Sequence, residues 1–421
     1  MLNTKNYQKQ MVKFRFLSKK KTIYLSLFML MIFSSVVKSQ NVWVQKTNFP
    51  GAARYHATGF TIGDKIYVTT GWNNSTNYND LWEYNTITDT WMQKTNFPGA
   101  ARYAAVGFSI GNKGYVCCGR YGNTYLKDLW EYDQSSDTWT QKTDFGGTGR
   151  HHPIAFVIDS IAYVGTGENS VFKKDMWAYY PITDNWTQKA DFGGTARHAA
   201  FGFTNGGNAL GFVGGGTSSA GYLKDFWQYY AQTDTWTQLA DFGTVAKEHA
   251  VGFGYYVNRA VVGTGWDGSG DTDDMWEYDF ISGTWMPVAP FGGGIREGAV
   301  GFAVNSFGYM GTGWDGSNKN DWWVFFPPFT GVENFSANDM DVKIFPNPAN
   351  DYVTIKFNTS HTAKTTLSLT DLSGRKITQW NLMNSTNEIR LSLSDVASGF
   401  YLLKIKTTQN SQSQKLFITK K

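Results

Sequence analysis

Along most of the chain, apolar and aromatic residues alternate with turn-forming Gly, Asn, Asp and Thr in short runs. Such runs predict many short strands, and helical patterning is nearly absent after residue 40. "HATGFTIG" (56–63) and "KIYVTTGW" (65–72) read as two strands, and "WEYNTITDTW" (82–91) as a hairpin turning at Asn85–Asp89. One apolar run differs. Ile23–Phe33 follows the cations Lys13, Arg15, Lys19, Lys20 and Lys21, and Val37 and Ser39 supply small residues before Gln40. This is the pattern of a signal peptide over residues 1–39. The run is shorter than the roughly 20 residues a bilayer span needs, so no transmembrane span is expected in the mature chain. Met11 offers an alternative start.

The strand pattern recurs. "TNFPGAARYHATGF" at 47–60 returns as "TNFPGAARYAAVGF" at 95–108. Trp43, Trp91, Trp139, Trp186, Trp236 and Trp285 follow one another at steps of 48, 48, 47, 50 and 49. A second series begins at Asp80-Leu-Trp82 and continues through Asp128, Asp175, Asp225, Asp274 and Asp321, each with Trp two residues on. Each unit therefore holds four antiparallel strands, too few to bury both faces of a sheet alone. Six such sheets packed face to face around an axis bury them, which predicts a six-bladed β-propeller over residues 40–327. Gly59, Gly107, Ala155, Gly202, Gly252 and Gly301 fall on the first strand, where blades converge. Tyr84, Tyr132, Tyr179, Tyr229, Tyr278, Phe325 and the paired Trp fall where blades splay apart and need bulk. The last unit lacks a fourth strand and the first begins with a spare one, "VWVQKT" (42–47), which predicts ring closure by the N-terminus.

These units resemble the Kelch family, with a glycine-rich second strand, an aromatic third and a Trp opening the fourth. The family's double glycine survives as Gly215-Gly216 and is elsewhere Thr-Gly or Cys-Gly, as at Thr70-Gly71 and Cys118-Gly119.

From residue 341 the period disappears. "TTLSLTDLSGRKI" (365–377), "NEIRLSLSDVASGFYLLKI" (387–405) and "SQKLFITK" (413–420) alternate apolar and polar positions, as strands of a small Ig-like β-sandwich do. Phe345-Pro-Asn-Pro348, Asp371-Leu-Ser-Gly374, Gly399-Phe-Tyr401 and Lys415–Lys420 resemble the type A C-terminal sorting domain of type IX secretion. The resemblance implies a Bacteroidota-type cell, passage through the type IX machinery as partner of residues 341–421, and tail removal in the 328–340 linker. The protein is then released or attached to the outer surface.

Charge excludes one class of partner. The signal segment holds eight Lys/Arg and no acid, so its removal takes the formal charge from +4 to −4. The basic pI of 8.7 is thus no sign of nucleic-acid binding. The only cysteines, Cys117 and Cys118, are adjacent and read as two buried thiols rather than a disulfide framework.

A cation precedes each first strand: Arg54, Arg102, Arg150, Arg197, Lys247 and Arg296. Two readings stand: an anion or sugar pocket at one mouth of the channel, or a structural residue that every blade repeats. The non-repeated neighbours supply the asymmetry that a binding site requires: Tyr55, His56, Tyr103, His151, His152, His198, Glu248, His249 and Glu297. The histidines show no fixed ligand spacing, so neither metal nor cofactor is expected. "DGSGDTDD" (267–274) lacks EF-hand spacing and reads as a solvated turn. Kelch-like domains often bind ligands at this mouth, so the resemblance implies a glycan- or protein-binding module. It also leaves open a sialate mutarotase-like or galactose oxidase-like enzyme, or a purely structural surface protein. The copper enzymes require a Cys crosslinked to Tyr, and both cysteines here share one strand of one blade.

Overall fold

The computed structural model describes residues 42–205, 210–256 and 258–327, and within the tail 342–347, 349–357, 365–371, 376–382, 388–397, 399–407 and 411–418. The expected signal peptide (1–39) and the expected linker (328–340) lie outside these residues. The described residues are all β.

Six four-stranded antiparallel sheets form the repeat region. Blade 1 is Thr58–Ile62, Lys65–Thr69, Leu81–Asn85 and Thr90–Lys94, and blades 2 to 5 repeat that order. Blade 6 takes Val300–Val304, Phe307–Gly311 and Trp322–Phe326 from the end of the repeats and Val42–Lys46 from the beginning. Trp43 stands opposite Phe325 in that register and is buried. The expected closure is therefore present. Innermost strands contact one another in sequence around the circle and back to blade 1. A Cβ on Gly107 would collide with the carbonyl of Gly59 in the preceding blade, so the axis leaves no room for a side chain there.

Loops reinforce the ring. The amide of Gly71 donates to the carbonyl of Arg102, and equivalent bonds run Gly119 to Arg150, Gly167 to Arg197, Gly216 to Lys247, Gly265 to Arg296 and Gly313 to Arg54. All lie at 2.8–2.9 Å, and the last closes the circle. The residue before each glycine is also left-handed: Thr70 at φ 61°, Cys118 at 63° and Gly215 at 60°. The family's first glycine is thus replaceable where the second is not. Gly71, at φ 100°, stands where β-carbon sterics are prohibitive.

The outer aromatics do more than fill space. Trp91 packs edge-on against Phe49 at 5.2 Å while its indole N–H donates to Thr47 O at 2.9 Å. Trp139 repeats both contacts with Phe97 and Thr95. Phe49, Phe97, Phe145, Phe192, Phe242 and Phe291 form a buried series the sequence reading did not single out.

The tail forms a three-stranded sheet (Val342–Phe345, Tyr352–Phe357, Glu388–Ser392) and a four-stranded sheet (Lys376–Leu382, Thr365–Asp371, Gly399–Lys406, Ser411–Ile418). Val353, Ile355 and Leu391 of the first share one apolar core with Leu367, Leu403 and Leu416 of the second, which makes a β-sandwich.

Candidate functional site

The six cations are placed differently from a mouth-lining set. Arg54, Arg102, Arg197 and Arg296 are fully buried, and Arg150 and Lys247 nearly so. Each meets the Asp of its own unit's Asp-x-Trp series. Arg102 Nη1 and Nη2 donate to Asp128 Oδ1 and Oδ2 at 2.6 and 2.7 Å, and Nη1 also donates to Cys118 O. Trp130 Nε1 donates to the same carboxylate, and Phe97 lies 4.9 Å from the guanidinium carbon. Arg54–Asp80, Arg150–Asp175, Arg197–Asp225 and Arg296–Asp321 repeat this clamp, and Lys247–Asp274 replaces it in blade 5. The anion-pocket reading of these cations is corrected: all six are buried inside a blade with their charge already paired to an aspartate, so none is presented to a ligand at the mouth.

The cation instead positions the two residues after it. The first forms an outer ring of Tyr55, Tyr103, His151, His198, Glu248 and Glu297. Each bridges to the residue following the left-handed glycine: Trp72, Arg120, Glu168, Thr217, Trp266 and Trp314. This outer ring has two unlike halves. On one side, Trp314, Tyr55, Trp72 and Tyr103 form a continuous aromatic arc, with successive ring centroids 5.6, 5.6 and 5.4 Å apart. Tyr55 is half-buried, and burial followed by the nearby Glu297 pushes its hydroxyl pKa up to about 12. On the other side, His198 lies 2.9 Å from Glu168 and 3.5 Å from Glu248. Burial opposes ionisation of Glu248, but His198, His249 and Thr217 outweigh it and draw its pKa to about 2. Trp266 is bridged on one side to Glu248 and on the other to Asp271. Burial, then Glu297 and Asp315, raise the Asp271 carboxyl to about 6.

The second residue after each cation forms an inner ring: His56, Ala104, His152, Ala199, His249 and Gly298. All six are left-handed, with φ between 49° and 59°. His56 N donates to Gly298 O, Ala104 N to His56 O, His152 N to Ala104 O and His249 N to Ala199 O. The three imidazoles come from alternate blades, and their centroids stand 4.6, 4.5 and 4.7 Å apart. Burial, with repulsion from neighbouring histidines, holds His56 and His152 well below the ordinary histidine pKa, so both are neutral.

The structure thus brings together Tyr55, Tyr103, every proposed histidine, Glu248 and Glu297, and withdraws the six cations. Trp72, Trp314, Glu168 and Asp271 were missed, and their common signal is the position after the repeat's glycine or in the loop that follows. In the 267–274 loop, Asp267 accepts the amides of Ser269 and Gly270, an Asx-type turn. Cys117 and Cys118 are free and buried with sulfurs 3.3 Å apart. The strand ends at Cys117, and the left-handed backbone at Cys118 turns the second thiol back toward the first, so the two do not point to opposite faces.

Fold and repeat define a Kelch-type β-propeller followed by a β-sandwich. The repeats match the family described as KLHDC2/KLHL20/DRC7 Kelch-repeats domain over residues 18–201. The tail matches the secretion system C-terminal sorting domain over residues 343–419. The protein is a Kelch-repeat propeller carrying a type IX sorting tail, and that tail supports export to the cell surface or beyond. The solved structure of YjhT is similar, with a TM-score of 0.56 at 16% identity over 66% of this chain and 96% of that one. That likeness concerns the fold. No curated protein matches the sequence. No helix among the described residues is long and apolar enough to cross a membrane.

Proposed function

We propose that the protein is an exported module that binds a glycan at the propeller mouth, the mature chain beginning at Gln40 and losing residues 341–421 by cleavage in the 328–340 linker. The observation that carries this reading is the two-sided outer ring. Sugar rings present apolar C–H faces that stack on Trp and Tyr, and hydroxyls that donate to carboxylates. The Trp314–Tyr55–Trp72–Tyr103 arc offers the first surface, and Glu168, His198 and Glu248 the second. A pocket of this kind needs no net positive charge, in keeping with the withdrawal of the arginines into the blades.

Glycan-array binding by the purified protein, followed by titration of the best oligosaccharide, tests this. Trp72→Ala is expected to weaken binding roughly tenfold for the loss of one stacking surface. An array without hits, or affinity indifferent to Trp72 and His198, overturns the reading.

A second reading rests on the carboxyls either side of Trp266. Glu248 is ionised and Asp271 holds its proton into mildly acidic solution, and carboxyls pushed apart in this way divide base and acid roles. Sugar turnover abolished by Asp271→Asn, with binding retained, would establish it.

A further inference from the structure

Three imidazoles meet at the propeller axis with little else to satisfy them. His152 has both ring nitrogens buried without a hydrogen-bond partner, and His249 Nε2 is likewise unpartnered. Buried polar atoms in that state call for an ion or water to complete them. The inner ring does not need histidine for its own sake: Ala104 and Ala199 adopt the same left-handed backbone in the intervening blades. Small residues there also make room. A Cβ on Gly298 would fall 2.7 Å from His56 Nδ1.

We infer that His56, His152 and His249 form a three-imidazole site for a divalent transition ion of the zinc class, with a fourth position left for water or a ligand atom. One ligand atom from each histidine lies within 4.8 Å of the others, so modest side-chain rotation brings them to the about 2.0–2.1 Å bonds of zinc–imidazole coordination. Neutral imidazole donors favour zinc, copper, nickel or cobalt over magnesium and calcium, which take oxygen ligands. One further contact has the form of a metal site's outer shell. Glu297 Oε2 lies 2.8 Å from His249 Nδ1, which orients the ring and leaves Nε2 as the donor. Sequence spacing hid the site because its ligands are 96 and 97 residues apart, two repeat units each.

A second trio, His151, His152 and His198, shares one member and is the competing arrangement. There His198 is engaged with Glu168 and Glu248, and His151 Nδ1 with Glu168 O. The axial trio adds His249 Nε2 to the two unpartnered nitrogens of the shared His152, whereas the rival trio adds His198 Nδ1, which lacks a well-formed hydrogen bond but faces the Glu168 carboxylate at 2.9 Å.

The test is calorimetric titration of Zn²⁺ into tag-free, chelator-stripped protein without any sugar present, so that its outcome is separate from that of glycan binding. One equivalent is expected to bind with submicromolar affinity. His56→Ala and His152→Ala should fold, since alanine already occupies equivalent backbone positions, and should abolish stoichiometric binding. Glu297→Gln should weaken it 10- to 100-fold, and His198→Ala should leave it unchanged. Affinity no better than about 0.1 mM, stoichiometric binding that survives the His56, His152 and His249 triple alanine variant, or loss with His198→Ala but not His56→Ala overturns the inference.

Discussion

The buried guanidinium of Arg197 meets the carboxylate of Asp225 through two parallel bonds, Nη1 to Oδ1 at 2.6 Å and Nη2 to Oδ2 at 2.7 Å. A two-pronged pair of this kind is stabilising only as a whole, because removing one member strands the other. Arg197→Ala is expected to cost about 3 kcal/mol in urea unfolding, the low end for a broken buried pair, since the Asp225 side chain keeps 20% of its exposure. A variant with unchanged stability but lost ligand affinity would return Arg197 to the binding site.

Blade 5 shows why five cations are Arg and one is Lys. Three residues before each Arg stands a glycine: Gly51, Gly99, Gly147, Gly194 and Gly293. A Cβ on Gly194 would lie 2.6 Å from Arg197 Nη2, and one on Gly99 2.7 Å from Arg102 Nη2. Blade 5 has Thr244 at that position, so the shorter-headed Lys247 replaces the fork and reaches Asp274 and, at 3.0 Å, Thr272 Oγ1. Lys247→Arg alone should therefore destabilise, and adding Thr244→Gly should restore the loss. The double-mutant coupling is expected at 0.5–3 kcal/mol. Additive effects would show that Thr244 does not select the cation.

The clamps also set an acid limit. Burial works against ionisation of Asp128, Asp175 and Asp274, but the bonds and charge of Arg102, Arg150 and Lys247 outweigh it and hold all three carboxyls below their ordinary value. A folded-state pKa below the unfolded value of about 3.9 gives stability present above pH 4 and lost as pH falls through the folded value. The melting temperature should thus decline gently below about pH 6.5, where the buried neutral His56 and His152 resist the protons that the unfolded chain takes up, and fall steeply below pH 4 as the clamps protonate. Arg102→Lys should shift the onset of that fall upward, and an unmoved onset would remove the clamps from the account.

The architecture was legible because repetition is a long-range signal carried by the sequence itself. Six Trp at near-constant steps count the blades, and the missing fourth strand at Trp322–Phe326 matches the spare Val42–Lys46. The site was legible as a set of positions but not as roles. Arg54 and Tyr55 are neighbours in the chain, yet one points into the blade and the other joins the aromatic arc. Nothing local distinguishes them, since the partner that withdraws Arg54 is Asp80, 26 residues away. The histidines were likewise legible as a group at one mouth, but which three imidazoles meet at the axis was not, since His56, His152 and His249 stand two repeat units apart in the chain.

Export provides a test independent of the mouth. The sorting-domain match covers residues 343–419. The sandwich has its own apolar core from Ala349 to Ile418. Deleting residues 341–421 should leave a folded propeller trapped in the periplasm, measured by fractionation and by protease protection of intact cells. Unchanged surface display or release of the truncated chain would show that the tail is not the export determinant.

Ring closure gives the remaining expectation. Trp43 packs edge-on against Phe291 at 4.7 Å and 5.1 Å from Phe325, taking in blade 6 the place Trp91 holds in blade 1. Signal cleavage before Gln40 would leave this strand intact with two residues to spare. Trp43→Ala is expected to cost about 3–5 kcal/mol, the usual figure for emptying a buried Trp. Deleting residues 40–46 should cost more, because it also exposes the hydrogen-bonding edge of Trp322–Phe326. An edge of that kind pairs with other chains, so the shortened protein should elute from size exclusion as concentration-dependent oligomers. If it instead remained monomeric with an unaltered melting temperature, closure by the N-terminal strand would contribute nothing to the stability of the ring.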